Sequence, residues 1–233
     1  MLYIIGSLAC FYLLNGLYYF IGILKLLKRS QHKINISNDN TPFVTIILSA
    51  RNEADSIGKC LECLVNQTYP SNRYEIIPVN DASEDQTMEI INDYMLKNDR
   101  VKPINIKPGQ RQKQGKINAI DKGILNAKGE IIITTDADTW MGTEWISKMV
   151  GSFDNTTGFV LGITLDQISN NPVHAFQALD GIGILVIAAA LAEMHNPITC
   201  RGTNIAFRKD AYLEVRDKVL HLSSTRGNRE WLM

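Results

Sequence analysis

The chain has 233 residues, and its 24 Lys and Arg residues balance 24 Asp and Glu residues, so its formal net charge is zero. This balance argues against a nucleic-acid-binding protein that relies on a general basic surface, so we expect no nucleic-acid partner. Four cysteines in this length exclude a disulfide-based scaffold. A hydrophobic share of 45% and a charged share of 21% are typical of a globular chain with one sizeable domain.

The N-terminal segment predicts a membrane anchor. Residues 2–24 contain no charged side chain, and as a helix they would reach about 35 Å, enough for a hydrocarbon core about 30 Å thick. A cleaved signal peptide fits poorly, because no basic residue precedes the apolar run and the run is too long. We therefore predict a single transmembrane anchor over residues 1–27, followed by a polar linker over residues 28–42.

The residues after the apolar run predict its orientation. Before the first acidic residue, Asp39, the chain carries a group of basic side chains: Lys25, Lys28, Arg29, His32 and Lys33. By the positive-inside tendency, these residues and the domain that follows them face the cytoplasm. The expected location is a bacterial-type inner membrane with the catalytic domain on its cytoplasmic side.

The remainder of the chain alternates between strand and helix patterns. Continuous apolar runs predict buried strands, and apolar stripes at helical spacing predict helices. The predicted strands are 43–50, 74–80, 101–106, 130–135 and 158–165, and the predicted helices are 54–66, 84–96, 116–127 and 143–151. This alternation predicts an α/β fold whose mainly parallel central sheet is flanked by helices. We assign it to residues 43–233, as a domain that is incomplete at its C-terminus.

A second apolar segment runs from Ala178 to Ala192. It has about 15 residues and includes Asp180, so we do not expect it to span a membrane. Two interpretations remain open. The segment is either a helix buried in the protein or a helix that lies against the bilayer, where a lipid-linked substrate could approach.

Polar residues follow three of the predicted strands at the point where each strand ends. They are Arg51-Asn52-Glu53, Asn80-Asp81 and Asp136-Ala137-Asp138. Ligands of parallel α/β sheets bind beyond the carboxyl ends of the strands, so this coincidence predicts a binding site. If extended geometry persists, the carboxylates of Asp136 and Asp138 project from the same face and suit Mg²⁺ or Mn²⁺.

Two neighbouring features have a structural and a functional interpretation. Asp81 or Ser83 could cap the helix that follows, or Asp81 could accept a hydrogen bond from a nucleobase. Gly115-Lys116 opens a predicted helix, and a helix N-terminus with an ammonium group attracts phosphate. The spacing is not that of a Walker A loop.

Taken together, these motifs resemble the family-2 glycosyltransferases with the GT-A fold, a Rossmann-like architecture, and in particular their membrane-anchored branch. The matching segments are TIILSARNEADSIGKCLECLVNQTYP (45–70), EIIPVNDASEDQT (75–87), GKINAI (115–120), EIIITTDADTW (130–140) and CRGTNIAFRKDAYLEV (200–215). The resemblance implies an inverting transfer of a sugar from a nucleotide-sugar donor, usually a UDP-sugar, to a saccharide or lipid-linked acceptor.

The resemblance also implies roles for individual residues. Those expected to bind the donor are Ala50, Arg51, Asn52, Glu53, Asp81, Lys116, Asp136 and Ala137. Asp138 would ligate the metal together with Asp136. The residues expected to border the donor sugar and the acceptor are Cys200, Arg201, Gly202 and Asn204.

The C-terminal residues depart from the pattern of the family. Asn228 and Arg229 stand where an acidic pair is expected, and an arginine remains protonated and cannot act as a general base. Glu230 is the adjacent candidate for the catalytic base. Two alternatives follow: a catalytically impaired nucleotide-sugar-binding protein, or a sugar nucleotidyltransferase, which would need a phosphate loop rich in glycine and arginine after its first strand.

Overall fold

The computed structural model describes residues 2–30, 41–110, 115–165, 171–199 and 202–226. The strands are β1 (Val44–Ala50), β2 (Tyr74–Asp81), β3 (Ile104–Ile106), β4 (Ile131–Asp136), β5 (Phe159–Leu161) and β6 (Asn204–Arg208). The helices are α1 (Leu2–Ser30), α2 (Ile57–Val65), α3 (Thr87–Lys97), α4 (Lys116–Asn126), α5 (Trp145–Val150), α6 (Pro172–Glu193) and α7 (Lys209–Arg226).

The six strands form one sheet in the order β3-β2-β1-β4-β6-β5. The first four are parallel to one another, whereas β6 runs antiparallel to both β4 and β5. This arrangement confirms the predicted α/β fold with its mainly parallel sheet. The carboxyl ends of β1, β2 and β4 lie side by side, because Ala50 pairs with Asn80 and Ser49 pairs with Asp136.

Apolar side chains cover both faces of the central strand β1. Ile46 and Leu48 belong to a buried cluster that also contains side chains of α2, α3 and α5. Ile47 points to the opposite face and meets α4, where a Cβ atom on Gly123 would lie 2.7 Å from its Cγ2 atom. Gly123 is therefore needed for the close approach of α4 to the sheet, and α4 carries Lys116 at its first position.

Several element boundaries differ from the predicted ones. Helix α3 begins at Thr87, three residues later than predicted, because Asp85 and Thr87 form a hydrogen-bonded turn before it. The predicted strand 158–165 is reduced to Phe159–Leu161. The apolar segment predicted over 178–192 belongs to a longer helix, α6, which begins at Pro172 with Asn171 as its N-cap.

Within the described residues, α1 and α6 form one compact unit, and the sheet with its other helices forms a second. Tyr3–Lys28 of α1 is long and apolar enough to cross a membrane, as the sequence predicts for a single N-terminal helix, and Pro172–Glu193 meets the same criterion. Most side chains of α6 are exposed, so the interpretation of this segment as a helix buried in the protein does not fit the structure.

Candidate functional site

Polar residues from three parallel strands meet at the carboxyl edge of the sheet. β1 ends at Ala50, β2 at Asp81 and β4 at Asp136, and β1 lies between the other two strands. Neighbouring strands are about 4.8 Å apart, so these three residues lie within two strand spacings of each other. The structure thus brings together the donor-binding residues that the sequence predicts at the three strand ends.

The loop after β1 is tied to the loop after β2 through Asn52. This residue has a positive φ of 56°, a conformation that asparagine adopts more readily than most residues. Its backbone N–H donates to the Ser83 hydroxyl at 3.0 Å, and its side-chain oxygen accepts from the Glu84 N–H at 2.8 Å. Asn52 therefore fixes the two loops relative to each other. The neighbouring residue Arg51, which the sequence also predicts to bind the donor, is exposed.

Glu53 directs the chain into α2. Its carbonyl oxygen accepts hydrogen bonds from the N–H groups of Ser56 and Ile57, and its carboxylate accepts from the Ser56 hydroxyl at 2.8 Å. Its own N–H donates to the Thr87 hydroxyl at 2.8 Å. These contacts show that Glu53 shapes the turn between β1 and α2.

Asp85, to which the sequence assigns no role, joins the loop after β2 to the turn that leads into α2. Its carboxylate accepts from the N–H of Ala54 at 3.0 Å and from the N–H of Thr87 at 3.0 Å. Burial opposes the ionised form, but the hydrogen bonds from Thr87 and Ala54 outweigh it and lower the pKa of Asp85. The sequence signal was an Asp two residues before a helix-initiating Thr, which is typical of an Asx turn.

The end of β2 holds Asp81 in a buried position. Asp81 is 4% exposed, and Ala82 after it has a positive φ of 58°. The side chain of Asn80 donates to Asn105 at 2.8 Å and accepts from the N–H of Ser83 at 3.2 Å and from its hydroxyl. Ser83 therefore serves this turn and does not cap α3, so its predicted capping role was wrong.

Lys116 and Asp136 form an ion pair across the site. The Nζ atom of Lys116 lies 2.7 Å from Asp136 Oδ1, and both side chains are partly exposed. Gly115 before Lys116 has a positive φ of 44°, which a glycine adopts without strain. The pair joins the N-terminus of α4 to the end of β4, and a partly exposed pair of this kind contributes only about 0–1 kcal/mol to stability.

Asp136 ends β4, and Ala137 and Asp138 lie in a turn. The chain is therefore not extended beyond Asp136, and strand geometry does not place the carboxylates of Asp136 and Asp138 on one face as the sequence predicted. Ala137 is buried, whereas Asp138 is exposed. The thiol of Cys60 donates to the Asp136 carbonyl oxygen at 3.6 Å, and burial raises the pKa of this thiol so that it stays protonated.

The residue types at this turn fit a hard divalent cation. Among the described residues, no group of three or more His, Cys, Asp or Glu side chains is arranged to hold a metal. Mg²⁺ and Mn²⁺ need only one or two protein carboxylates when phosphate oxygens and water complete their coordination. Asp136 and Asp138 supply that number.

The predicted acceptor residues lie in part at the start of β6. Asn204 pairs with Thr135 of β4 and is 8% exposed. Its side-chain oxygen accepts from the Trp145 indole N–H at 3.1 Å, and its carbonyl oxygen accepts from the Gly162 N–H at 2.8 Å. Asn204 therefore lies one strand away from the end of β4. Gly202 accepts from the Thr134 hydroxyl at 3.4 Å.

Other predicted residues fall outside the part of the chain that the structure describes. These are Cys200, Arg201 and Glu230, together with Asn228 and Arg229. The roles predicted for them stay predictions. The last described helix, α7, is held on α4 by Arg216, whose guanidinium lies 2.6 Å and 2.8 Å from the two carboxylate oxygens of Asp121.

A second residue to which the sequence assigns no role is Asn118, in the first turn of α4. It is 6% exposed, and its buried Nδ2 atom has no hydrogen-bond partner among the residues that the structure describes. A buried amide in this state costs about 1–3 kcal/mol. The sequence does not show that this Asn is buried, because its burial depends on how α4 packs on β1 and β2.

Comparison with known proteins agrees with the class that the fold and site define, an α/β protein with a ligand site at the carboxyl edge of its parallel strands. Residues 45–216 match the sequence model of a family described as glycosyl transferase family 2. The match covers well over half of the chain, and the chain therefore belongs to glycosyl transferase family 2.

Curated relatives include the glycosyltransferase AglE of Haloferax volcanii, 26% identical over 82% of this chain and 60% of the relative. The probable glycosyltransferase YdaM of Bacillus subtilis is 39% identical over 62% of this chain and 32% of the relative. The chain thus spans less than two thirds of the length of either relative.

Two solved structures share the fold. A mannosyltransferase, PcManGT from Pyrobaculum calidifontis in complex with GDP-Man and Mn²⁺, superposes with a TM-score of 0.61 at 21% identity, covering 88% of this chain and 56% of the other. Residues 1–349 of S. aureus TarS in complex with UDP-GlcNAc superpose with a TM-score of 0.55 at 19% identity, covering 76% of this chain and 48% of the other. At these identities the likeness confirms the GT-A fold.

Proposed function

We propose that the chain is an inverting glycosyltransferase that moves a hexosyl or N-acetylhexosaminyl group from a nucleotide-sugar donor, a UDP-sugar, to a saccharide or lipid-linked acceptor. The observation that carries this proposal is the convergence of Asp81, the Lys116–Asp136 pair and Asp138 at one edge of the sheet. The two solved neighbours are complexes with nucleotide sugars, GDP-Man and UDP-GlcNAc. Membership of the family supports transferase chemistry.

The donor site is assigned from the strand ends. The buried carboxylate of Asp81 accepts a hydrogen bond from the N–H of the nucleobase, since a uracil or guanine ring offers such a donor. The ammonium group of Lys116, at the N-terminus of α4, attracts the diphosphate. Because its present partner is a partly exposed carboxylate, exchanging Asp136 for a phosphate oxygen costs little.

Asp136 and Asp138 would hold Mg²⁺ or Mn²⁺ together with oxygen atoms of the donor. When bound, such an ion neutralises negative charge on the departing nucleoside diphosphate. Asp138 is the exposed member of the pair and the one without an ion-pair partner among the described salt bridges, so we assign it as the principal ligand.

The transfer itself is an in-line displacement. The acceptor oxygen forms a bond to the anomeric carbon while the bond from that carbon to the diphosphate oxygen breaks, and the electron pair leaves with the diphosphate. The hydroxyl proton passes to a carboxylate base, for which Glu230 is the candidate because Arg229 stays protonated. The start of β6, with Gly202 and Asn204, borders the acceptor in this proposal.

The proposed place of the reaction is the cytoplasmic face of a membrane, with α1 as the anchor. The apolar length of α1 and the basic residues at its C-terminal end support this placement. A membrane location also brings the enzyme to lipid-linked acceptors.

The test is calorimetric titration of the full chain with UDP, UDP-sugars and GDP-mannose, with and without Mn²⁺, paired with a donor-hydrolysis assay on the same sample. Mn²⁺-dependent binding with hydrolysis is the expected result. Binding without hydrolysis would favour the second candidate function, a nucleotide-sugar-binding protein without transfer, which Asn228 and Arg229 suggest. Absence of binding to every nucleotide would overturn the proposal.

A further inference from the structure

Helix α6 exposes an apolar surface that is unusual for a helix in water. Residues 181–192 include no polar or charged side chain. Several large apolar side chains of α6 are exposed, among them Phe176 at 71%, Leu179 at 68% and Ile184 at 53%. A helix that is apolar on all sides is normally buried in a protein core or in a membrane. The buried residues of α6 are mostly small: Ala178, Gly181, Ala188, Ala190 and Leu191.

Within its compact unit, α6 packs against α1. The closest approach is at Gly22, where an added Cβ atom would lie 2.6 Å from the Ala190 carbonyl oxygen and 2.9 Å from the Ala190 Cβ. Such backbone-to-backbone contact needs a residue without a side chain, and it is typical of helix pairs in membranes. α1 is itself apolar over the length of a membrane span. The exposed face of α6 therefore continues the apolar surface of α1.

The length of α6 suits a membrane. The 22 residues Pro172–Glu193 are long and apolar enough to cross a hydrocarbon core, since they extend about 33 Å as a helix and the core is about 30 Å thick. The polar side chains of His174, Gln177 and Asp180 lie in the N-terminal part of this helix, and residues 181–192 are apolar throughout.

We propose that α6 is embedded in the bilayer beside α1, with Phe176, Leu179 and Ile184 in contact with lipid acyl chains and Gly22 packed against Ala190. This proposal rests on the membrane location given under Proposed function. It adds a second membrane-embedded helix to the anchor and makes the pair, instead of α1 alone, the membrane-bound unit. The occupant of the exposed face is hydrocarbon, because no side chain in residues 181–192 offers a polar group to water or to a polar partner.

The test is photolabelling of the full chain in phosphatidylcholine and phosphatidylglycerol vesicles that contain a lipid with a diazirine at the end of its acyl chain. Mass spectrometry locates the labelled residues. We expect label on Leu13 in α1 and on Leu179 and Ile184 in α6, and none on Leu96, which is 80% exposed on α3. Label on Leu13 without label on α6 would overturn this inference and leave the anchor intact. Absence of label on both helices would overturn the membrane location as well.

A matched pair of variants tests the contact between the two helices. Gly22→Leu forces α6 away from α1, so labelling of Ala188 and Ala190 should rise several-fold. Gly16→Leu adds the same side chain to α1 where a Cβ atom meets nothing within 4 Å, and should leave the labelling pattern unchanged. UDP titration of both variants reports whether the sheet unit remains folded. Unchanged labelling of Ala190 in Gly22→Leu would overturn the proposed pairing.

Discussion

The side-chain amide of Asn118 is buried but not fully hydrogen-bonded by the described residues, which is unfavourable in the free protein. This amide lies in the first turn of α4, two residues after Lys116, and no described residue accepts a hydrogen bond from its Nδ2 atom. Proteins tolerate such a group where a ligand later supplies the acceptor, since the cost of burial is then recovered on binding. We propose that an oxygen atom of the donor nucleotide is this acceptor, because Asn118 lies in the same first turn of α4 as Lys116.

Asn118→Ala should therefore weaken nucleotide binding without destabilising the protein. We expect UDP or GDP affinity to fall roughly 5- to 30-fold, the equivalent of about 1–2 kcal/mol, and the melting temperature to stay equal or to rise. Titration calorimetry and thermal unfolding measure the two effects. Asn126→Ala is the control, because Asn126 is exposed at the end of the same helix and donates to Lys122. Equal affinities for Asn118→Ala and the parent chain would contradict the assignment.

Asp138 is the residue on which the metal assignment depends most. It is exposed after the end of β4, and it supplies a carboxylate where Asp136 is already paired with Lys116. Asp138→Asn removes the charge with little change of shape, so the Mn²⁺-dependent part of donor binding should disappear.

Calorimetry of Asp138→Asn with Mn²⁺ and with a chelator should therefore give equal and weak donor affinities. Asp99→Asn, which removes an exposed carboxylate outside the site, should retain the difference between the two conditions. If Asp138→Asn also retains that difference, Asp138 is not a metal ligand.

At the scale of secondary structure elements, the contact between β5 and β6 positions Asn204. A Cβ atom on Gly162 would lie 2.3 Å from the Asn204 amide carbon, so no larger residue fits without moving that side chain. Gly162→Ala should displace Asn204 from Trp145 and destabilise the protein by about 1–3 kcal/mol through overpacking. Transfer to acceptors should fall more than nucleotide affinity, because Asn204 lies on the proposed acceptor side.

Chemical denaturation and a transfer assay check this prediction. Gly158→Ala is the matched control one residue before β5, since a Cβ atom there meets nothing within 4 Å, and its stability should stay within about 0.5 kcal/mol of the parent. Equal stability of the two glycine variants would show that the Asn204 side chain relocates without cost.

A buried carboxylate joins the amino ends of β1 and β2. Glu75, 1% exposed, accepts hydrogen bonds from Lys102 at 2.7 Å, from the Lys128 N–H at 2.7 Å and from the Thr45 hydroxyl at 2.9 Å. Burial alone would raise the pKa of Glu75, but these hydrogen bonds and the charge of Lys102 lower it. The ionised form is thus favoured by the folded state.

Because the folded-state pKa lies below the ordinary value of 4.5, Glu75 stabilises the fold fully above pH 4.5 and loses this contribution as the pH falls through the folded-state pKa. Glu75→Gln should lower the free energy of unfolding at neutral pH by about 1–3 kcal/mol and flatten its decline in acid. Urea denaturation at a series of pH values measures both effects. Glu89→Gln, at an exposed position on α3, should leave the pH profile unchanged; an identical profile for Glu75→Gln would contradict the argument.

The sequence predicts the central strands well because their signal is local. β1, β2 and β4 are buried on both faces and therefore appear as continuous apolar runs, and the polar residues that follow them predict the site edge. The antiparallel strand β6 was not predicted, since its pairing with β4 joins residues 69 to 77 positions apart. The hydrogen bonds of Asn204 to Trp145 and of Asp121 to Arg216 join residues 59 and 95 positions apart and also leave no local pattern.

The sequence predicts the first residues of α3 and α6 less well than it predicts the central strands. An Asx turn at Asp85 competes with the helix and delays its start to Thr87, whereas Pro172 at the first turn allows α6 to begin before its apolar stretch. Both effects depend on a single residue at the element's start, where apolar periodicity carries little information.

At the scale of the whole molecule, the proposed activity requires the sheet unit to face the compartment that holds nucleotide sugars. The basic residues that follow the apolar run of α1 are expected to keep the sheet unit on the cytoplasmic side. The substitution Leu96→Cys, at an exposed position on α3, introduces a thiol that reports the side of the membrane on which the sheet unit lies. In cells this thiol should react with a membrane-impermeant maleimide only after the membrane is opened.

The basic residues that follow the apolar run of α1 can be replaced by glutamine at Lys25, Lys28, Arg29 and Lys33. In the Leu96→Cys background, this change should place a fraction of the molecules in the opposite orientation. The physical reason is that the tendency of Lys and Arg to remain on the cytoplasmic side then no longer opposes translocation of the following domain. Site-resolved mass spectrometry separates the label on the introduced thiol from label on the native cysteines. The matched control makes the same change of net charge on the sheet unit, at Lys97, Lys122, Lys128 and Lys148. If the introduced thiol is labelled in intact cells while the basic flank is unchanged, the cytoplasmic placement is contradicted. If the thiol of the flank variant stays unlabelled in intact cells, features other than these four charges set the orientation.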